Sequence, residues 1–160
     1  MTQWSSPEQA ERFVKSYAGA ILRLCLTYSL SREDAQDVCQ DLFLKLLEEG
    51  RSFDSQEHEK AFILRAAINA CKDLRKSARW KRVRPLEEAV PLHTAPTEDC
   101  GLSDAVRELP IHYGAVVYLF YYEGYNLEEI AQICGCSPVA ARKRLSRARK
   151  LLAKRLEVAL

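Results

Sequence analysis

The sequence has no run of about eighteen apolar residues, the length a membrane-spanning helix needs. Its opening, MTQWSSPEQAERF, lacks the basic-then-apolar order of a secretory leader. A cytoplasmic protein without membrane insertion is therefore expected. Period-two alternation is nowhere sustained, which argues against a sheet. There is no internal repeat and no low-complexity tract. Histidine is scarce, with three residues scattered at 58, 93 and 112. The six cysteines (25, 39, 71, 100, 134 and 136) are expected to stay reduced in an unexported chain. Most of them replace aliphatic residues within helical patterns, where a free thiol behaves as a small hydrophobe. Cys134-Gly-Cys136 has neither the two-residue spacing of a zinc knuckle nor a second pair nearby, so it is assigned to packing and no metal site is expected.

What the chain does have is segregated charge. The net charge is +2, yet residues 33–59 hold nine acids against two bases. Residues 72–84 hold seven bases and one acid, and residues 142–155 hold eight bases and no acid. Thus 15 of the 24 Lys and Arg fall in two short stretches. Clustered cations repel one another unless a polyanion neutralises them, and nucleic acid is the leading candidate.

The spacing of apolar residues predicts an all-α fold in two modules. Ser6-Pro7-Glu8-Gln9 reads as an N-cap, a proline at the first helical position and a capping-box Gln. Phe13, Tyr17, Ile21, Leu24 and Tyr28 then recur at helical spacing. A second helix starts at Ser31 with the stripe Ala35, Val38, Leu42 and Leu46, and ends near Gly50. Residues 51–58 read as a loop, and a third helix is expected from about Glu59 to Arg82, burying Ile63, Ala67, Ala70 and Leu74. Residues 84–102 contain three prolines and no sustained period, a linker between a first module at 1–83 and a second at 103–160. The second module should hold helices near 103–108 and 111–123, then two more from 127 and 138.

Those last two helices form a recognisable unit. Asn126-Leu127-Glu128-Glu129 is a capping box, Gly135 permits a left-handed turn, and Ser137-Pro138 caps and starts the next helix. That is the layout of a helix-turn-helix, whose second helix enters the major groove of DNA. On that helix Ala141, Leu145, Ala148 and Leu152 form one stripe, and Arg142, Lys143, Ser146, Arg147 and Lys150 lie on the other side. The stretch LPIHYGAVVYLFYYEGYNLEEIAQICGCSPVAARKRLSRARKLL (109–152) resembles the fourth domain of bacterial RNA polymerase sigma factors. The resemblance implies that these five residues read the −35 promoter element. Gly114 departs from the Arg often found at its place in that family. Cys134 and Cys136 stand where the family has aliphatic residues.

In the first module Asp37, Gln40 and Asp41 share one helical face, and DAQDVCQDLFLKLLE (34–48) resembles the sigma segment that docks on the clamp helices of the polymerase β′ subunit. Arg65, Asn69, Lys72, Lys76 and Arg79 share a face of the third helix. AFILRAAINACKDLRKSARWKR (61–82) resembles the segment that melts and reads the −10 element. By that resemblance Asn69, with Phe53 in the preceding loop, helps to hold a base out of the duplex, and Phe62 replaces a common Trp.

The two resemblances cover about residues 10–82 and 103–156, with no further domain before or between them. That places the chain with the smallest, ECF (extracytoplasmic-function) group of sigma factors. The resemblance implies promoter DNA and core RNA polymerase, through β′ and β, as partners, with an anti-sigma factor as a further candidate. It implies no cofactor and no catalysis by the chain itself. A linker of roughly 18 residues spans at most about 60 Å, or about 18 base pairs at about 3.4 Å per step, enough to bridge two promoter elements. A polymerase-independent helix-turn-helix regulator would explain residues 127–152 but gives no purpose to the face at 37, 40 and 41. A thiol enzyme or sensor built on Cys134 and Cys136 lacks a base and a metal quartet.

Overall fold

The computed structural model describes residues 6–77 and 102–159. The elements are α1 (Pro7–Thr27), α2 (Arg32–Glu49), α3 (Gln56–Lys76), α4 (Asp104–Arg107), α5 (Ile111–Val117), a π-helical turn (Tyr118–Tyr122), α6 (Leu127–Cys134) and α7 (Pro138–Ala159). No strand occurs among the described residues. The 84–102 linker, apart from Leu102, lies outside them, as does Cys100.

Local sequence sets the helix boundaries. Ser6, Ser31, Ser55 and Ser103 each accept a hydrogen bond from the backbone N–H three residues on, at 3.1–3.3 Å. An N-cap of this kind contributes about 1 kcal/mol. Ser55 places the start of α3 at Gln56, three residues before the position expected from apolar spacing, because a cap outweighs the period of the first turn. Helix α3 also ends earlier than expected: Ser77 is extended (φ −68°, ψ 152°) and its hydroxyl donates to the Leu74 carbonyl. The rest of the expected helix, with Arg79, lies outside the described residues.

Helix α1 packs against both α2 and α3. Ile21, Leu24, Cys25, Ile63, Leu64, Ala67, Ile68 and Cys71 have no solvent exposure. Each large aliphatic side chain in such a core contributes about 1.5–3 kcal/mol. Ala70 and Leu74, expected in this core, are only partly buried, and Leu64, Ile68 and Cys71 do more of the packing. The second group is built on α7, which packs on α4, α5 and α6. Ala141, Leu145 and Ala148 are buried as their spacing predicts, and Leu152 is half-buried.

The two groups touch. Helix α6 lies on α3, and α5 lies on the end of α1. At the second contact a Cβ added to Gly114 would meet the Thr27 Cβ and the Val106 carbonyl oxygen, each at 3.3 Å. The glycine that departs from the family's Arg thus sits at a tight contact between α5 and α1. Polar bonds continue the seam. Arg23 Nε donates to the Tyr118 hydroxyl at 3.1 Å, that hydroxyl donates to Glu123, and Lys60 pairs with Glu123 at 2.5 Å.

Candidate nucleic-acid interface

The expected contact residues of α7 are all on its outer side. Arg142, Lys143, Ser146, Arg147 and Lys150 are exposed, opposite the buried Ala141, Leu145 and Ala148. The turn before them is built as its sequence reads. The Asn126 side chain accepts from Glu129 N at 2.9 Å, and the Glu129 side chain accepts from Asn126 N at 3.0 Å, closing the capping box. Gly135 has φ 72°, and Ala140 N donates to the Ser137 hydroxyl at 3.1 Å. A left-handed residue at this point is what lets α7 leave α6 at an angle. Cys134 is buried beneath the turn, and burial pushes its thiol up to about 12. Such a thiol stays protonated and inert near neutral pH. Among the described residues no three His, Cys, Asp or Glu gather as a metal site would require.

On α2, Asp37, Gln40 and Asp41 are exposed. Asp37 and Asp41 also line a groove of about 680 Å³ between α2 and α3, whose other wall includes Phe62, Arg65 and Asn69. The sequence presents these as separate surfaces; the fold sets Asp37 and Asp41 across one cleft from Arg65 and Asn69. Gln40 does not line it. Leu44, which sequence spacing did not single out, is 59% exposed beside these three residues, and Leu47 is exposed one turn on. The signal was available: the stripe Ala35, Val38, Leu42, Leu46 leaves Leu44 off the buried side, although its type belongs there.

The third-helix face is divided. Arg65, Asn69 and Lys76 are exposed. Lys72 is half-buried, and its Nζ donates to the Cys134 carbonyl at 2.8 Å. It is engaged across the seam with the helix-turn-helix. Phe53 is half-buried, 5.5 Å from the His58 ring and 5.2 Å from Phe62, and the Arg51 guanidinium lies 4.5 Å over the Phe62 ring. Phe62 lines the groove, and Phe53 packs against its ring.

Charge across the seam is arranged around neutral or paired groups. Burial acts to raise the Glu123 carboxyl, but Lys60, Tyr118 and Arg23 together outweigh it and hold it below its ordinary range. His112 sits edge-on to Tyr28 with ring centroids 6.2 Å apart. Burial and then Arg144, Lys72 and Arg75 lower its pKa, so the neutral imidazole is favoured.

Comparison with known proteins agrees with this geometry. Residues 13–81 match the model of Sigma-70 region 2, and residues 101–152 match that of Sigma-70 region 4. The chain is 30% identical over 137 residues to the ECF RNA polymerase sigma factor SigM of Mycobacterium tuberculosis, covering 84% of this chain and 70% of that protein. It is 30% identical over 136 residues to the RNA polymerase sigma factor SigV of Bacillus subtilis, covering 81% and 80%. Among solved structures, RpoE from Bartonella quintana, in complex with the anti-sigma factor NepR, superposes with a TM-score of 0.68 at 24% identity, covering 92% of this chain and 96% of that one. CnrH, in complex with the cytosolic domain of CnrY, superposes with a TM-score of 0.66 at 22% identity, covering 98% and 93%.

Two helical groups of this order, one carrying region 2 and the other region 4, define a sigma factor of RNA polymerase, a transcription initiation factor and not an enzyme. Within that class the chain belongs to the ECF family. It binds core polymerase and promoter DNA and acts in promoter recognition. Among the described residues no helix is long and apolar enough to cross a membrane.

Proposed function

We propose that the three surfaces divide the work of initiation, in the cytoplasm. Asp37, Gln40 and Asp41, with Leu44 beside them, dock on the β′ clamp helices, where the carboxylates accept charge-assisted hydrogen bonds. Arg65, Asn69 and Lys76, with Phe53 and Phe62 at the groove, hold the melted −10 strand. Lys72 joins them once it leaves Cys134, and Arg79 extends the same basic run. Arg142, Lys143, Ser146, Arg147 and Lys150 read the −35 duplex. The modules at 1–83 and 103–160 then act on two separated elements joined by the 84–102 linker. An anti-sigma factor is a further partner this reading admits; the two solved relatives were each captured with a partner of their own.

The observation that carries the reading is the groove between α2 and α3. It sets Phe62, an exposed Asn69 and the cation Arg65 opposite the wall that includes Asp37 and Asp41. A base extruded there would leave duplex beside the surface proposed for polymerase. The test is run-off transcription by core polymerase with this chain on a genomic fragment library, mapping start sites. Transcripts should share −35 and −10 sequences. In the same assay Arg147→Ala should relax preference at one −35 position by about 1–3 kcal/mol. An unchanged −35 preference would remove α7 from base reading.

A further inference from the structure

Helix α7 carries eight Lys and Arg between 142 and 155, and Arg149 differs from its neighbours. It is exposed, yet it is held. Its Nε donates to the Tyr121 hydroxyl at 2.7 Å. Its guanidinium carbon lies 5.4 Å from the Phe120 ring centroid and 5.6 Å from that of Tyr121. Those two rings meet edge to face at 4.9 Å, so they form a fixed corner behind the guanidinium. Tyr121 is itself 55% exposed, and packing does not explain its presence on the surface. Tyr121 belongs to the π-helical turn at Tyr118–Tyr122, and such turns are associated with functional sites.

The Tyr121 bond uses Nε. Among the described residues the two Nη groups make no hydrogen bond or ion pair. What remains is a planar N–H fork with its orientation set from behind, the geometry that grips two oxygens of one anion. Arg149 stands two helical turns beyond Arg142 on the same edge of α7, flanking the exposed face and away from the N-terminal turn that approaches base edges.

We propose that Arg149 is a binding site for a DNA backbone phosphodiester, and that Tyr121 and Phe120 are its positioning residues. The inference rests on α7 meeting duplex DNA as set out above. It adds a contact that fixes the depth and rotation of α7 in the groove and carries no sequence information of its own. The aromatic corner orders the side chain before binding, so a rotamer-rich arginine loses less freedom on contact.

The test uses the full chain, a duplex it selects from a random pool, and the same duplex with its −35 sequence scrambled. Affinity is measured by fluorescence anisotropy from about 0.05 to 0.2 M salt. Arg149→Ala should weaken both duplexes by the same factor and lower the slope of log affinity against log salt by about 0.9, one phosphate's worth. Tyr121→Phe keeps the ring but not the hydroxyl. It should weaken both duplexes several-fold in the native background and cause no further loss beside Arg149→Ala, a coupling that a purely structural tyrosine would not show. Arg149→Gln serves as the second variant should the alanine form lose helical circular dichroism. An unchanged salt slope in a folded Arg149 variant overturns the proposal, as does a Tyr121→Phe loss that persists without Arg149. If the native chain shows no preference for any duplex, the −35 reading fails and this contact fails with it. If the native chain prefers its duplex and the Arg149 variants keep its slope, this contact alone is refuted.

Discussion

Lys72 Nζ donates to the carbonyl of Cys134 at 2.8 Å, joining the basic face of α3 to the turn of the helix-turn-helix. The same lysine is among those proposed for the −10 strand, and this bond takes one of its three N–H donors. Around it the seam is close-packed at Gly114 and paired at Glu123, and both features yield predictions.

A side chain at position 114 should drive α5 off α1. Gly114→Leu adds a Cβ that meets Thr27 and Val106 at 3.3 Å, with further atoms beyond it. Overpacking of this kind costs about 1–3 kcal/mol, more than the roughly 1 kcal/mol gained from replacing a helical glycine. Thermal denaturation should show net destabilisation. A variant at least as stable as the native chain would mean that the contact at Thr27 gives way freely.

Acid should loosen the seam. His112 has a pKa lowered from 6.5 and Glu123 one lowered from 4.5. For each group the folded value lies below the unfolded one, so the unfolded chain binds protons first as pH falls. The His112 contribution is fully present above about 6.5 and is lost as pH drops through its folded value. The Glu123 contribution follows at lower pH, below about 4.5. Urea midpoints should therefore fall between pH 7 and 5, and His112→Gln should flatten that part of the profile. An equal fall in the variant would assign the effect elsewhere.

Charge reversal on α2 should break polymerase docking without unfolding the helix. Asp37→Arg with Asp41→Arg should abolish most co-purification with core polymerase, and Leu44→Asp should weaken it separately. Both changes are at exposed positions, where effects on stability are within about 0.5 kcal/mol. Native-level recovery of polymerase by the double variant would refute the docking assignment.

Strand opening should depend on Asn69 and Phe53 at a step after recruitment. Asn69→Ala and Phe53→Ala should still bind core and −35 duplex, but should lose permanganate reactivity of −10 thymines on a paired promoter. Extruding a base costs a few kcal/mol, which these groups would offset. A template already mismatched at −10 removes that cost, so transcription should recover. Equal defects on both templates would point to folding or docking instead.

The fold was legible where one short stretch decides the outcome. Ser31, Asn126 with Glu129, and Gly135 act through bonds within a few residues, and they stand where the sequence places them. Helix α3 starts at Gln56 and not near Glu59 because its cap, Ser55, stands within a stretch whose apolar spacing is that of a loop. The π-turn is not legible in the sequence because Tyr118 to Tyr122 carries no proline or glycine to mark it. The candidate surfaces were legible as faces, since Arg142 to Lys150 need only helical periodicity. The sequence did not reveal that Lys72 is engaged by Cys134, 62 residues away. Nor did it reveal that Asp37 and Arg65 look across one groove, because such pairings are set by how the helices cross.

The π-turn also makes chain length a structural variable. A π turn holds roughly one residue more than an α turn over the same span, and each helical residue turns the chain by about 100°. Tyr118 is fixed to the first module through Arg23, and Asn126 begins the helix-turn-helix. Removing one residue from Tyr118–Tyr122 would let the turn return to α geometry over the same span and keep the downstream phase nearly unchanged, whereas adding a further residue would re-phase everything downstream by about 100°, swinging α7 relative to α3. A deletion in the turn removes the residue that the turn absorbs; an insertion there would change the azimuth of the whole reading head.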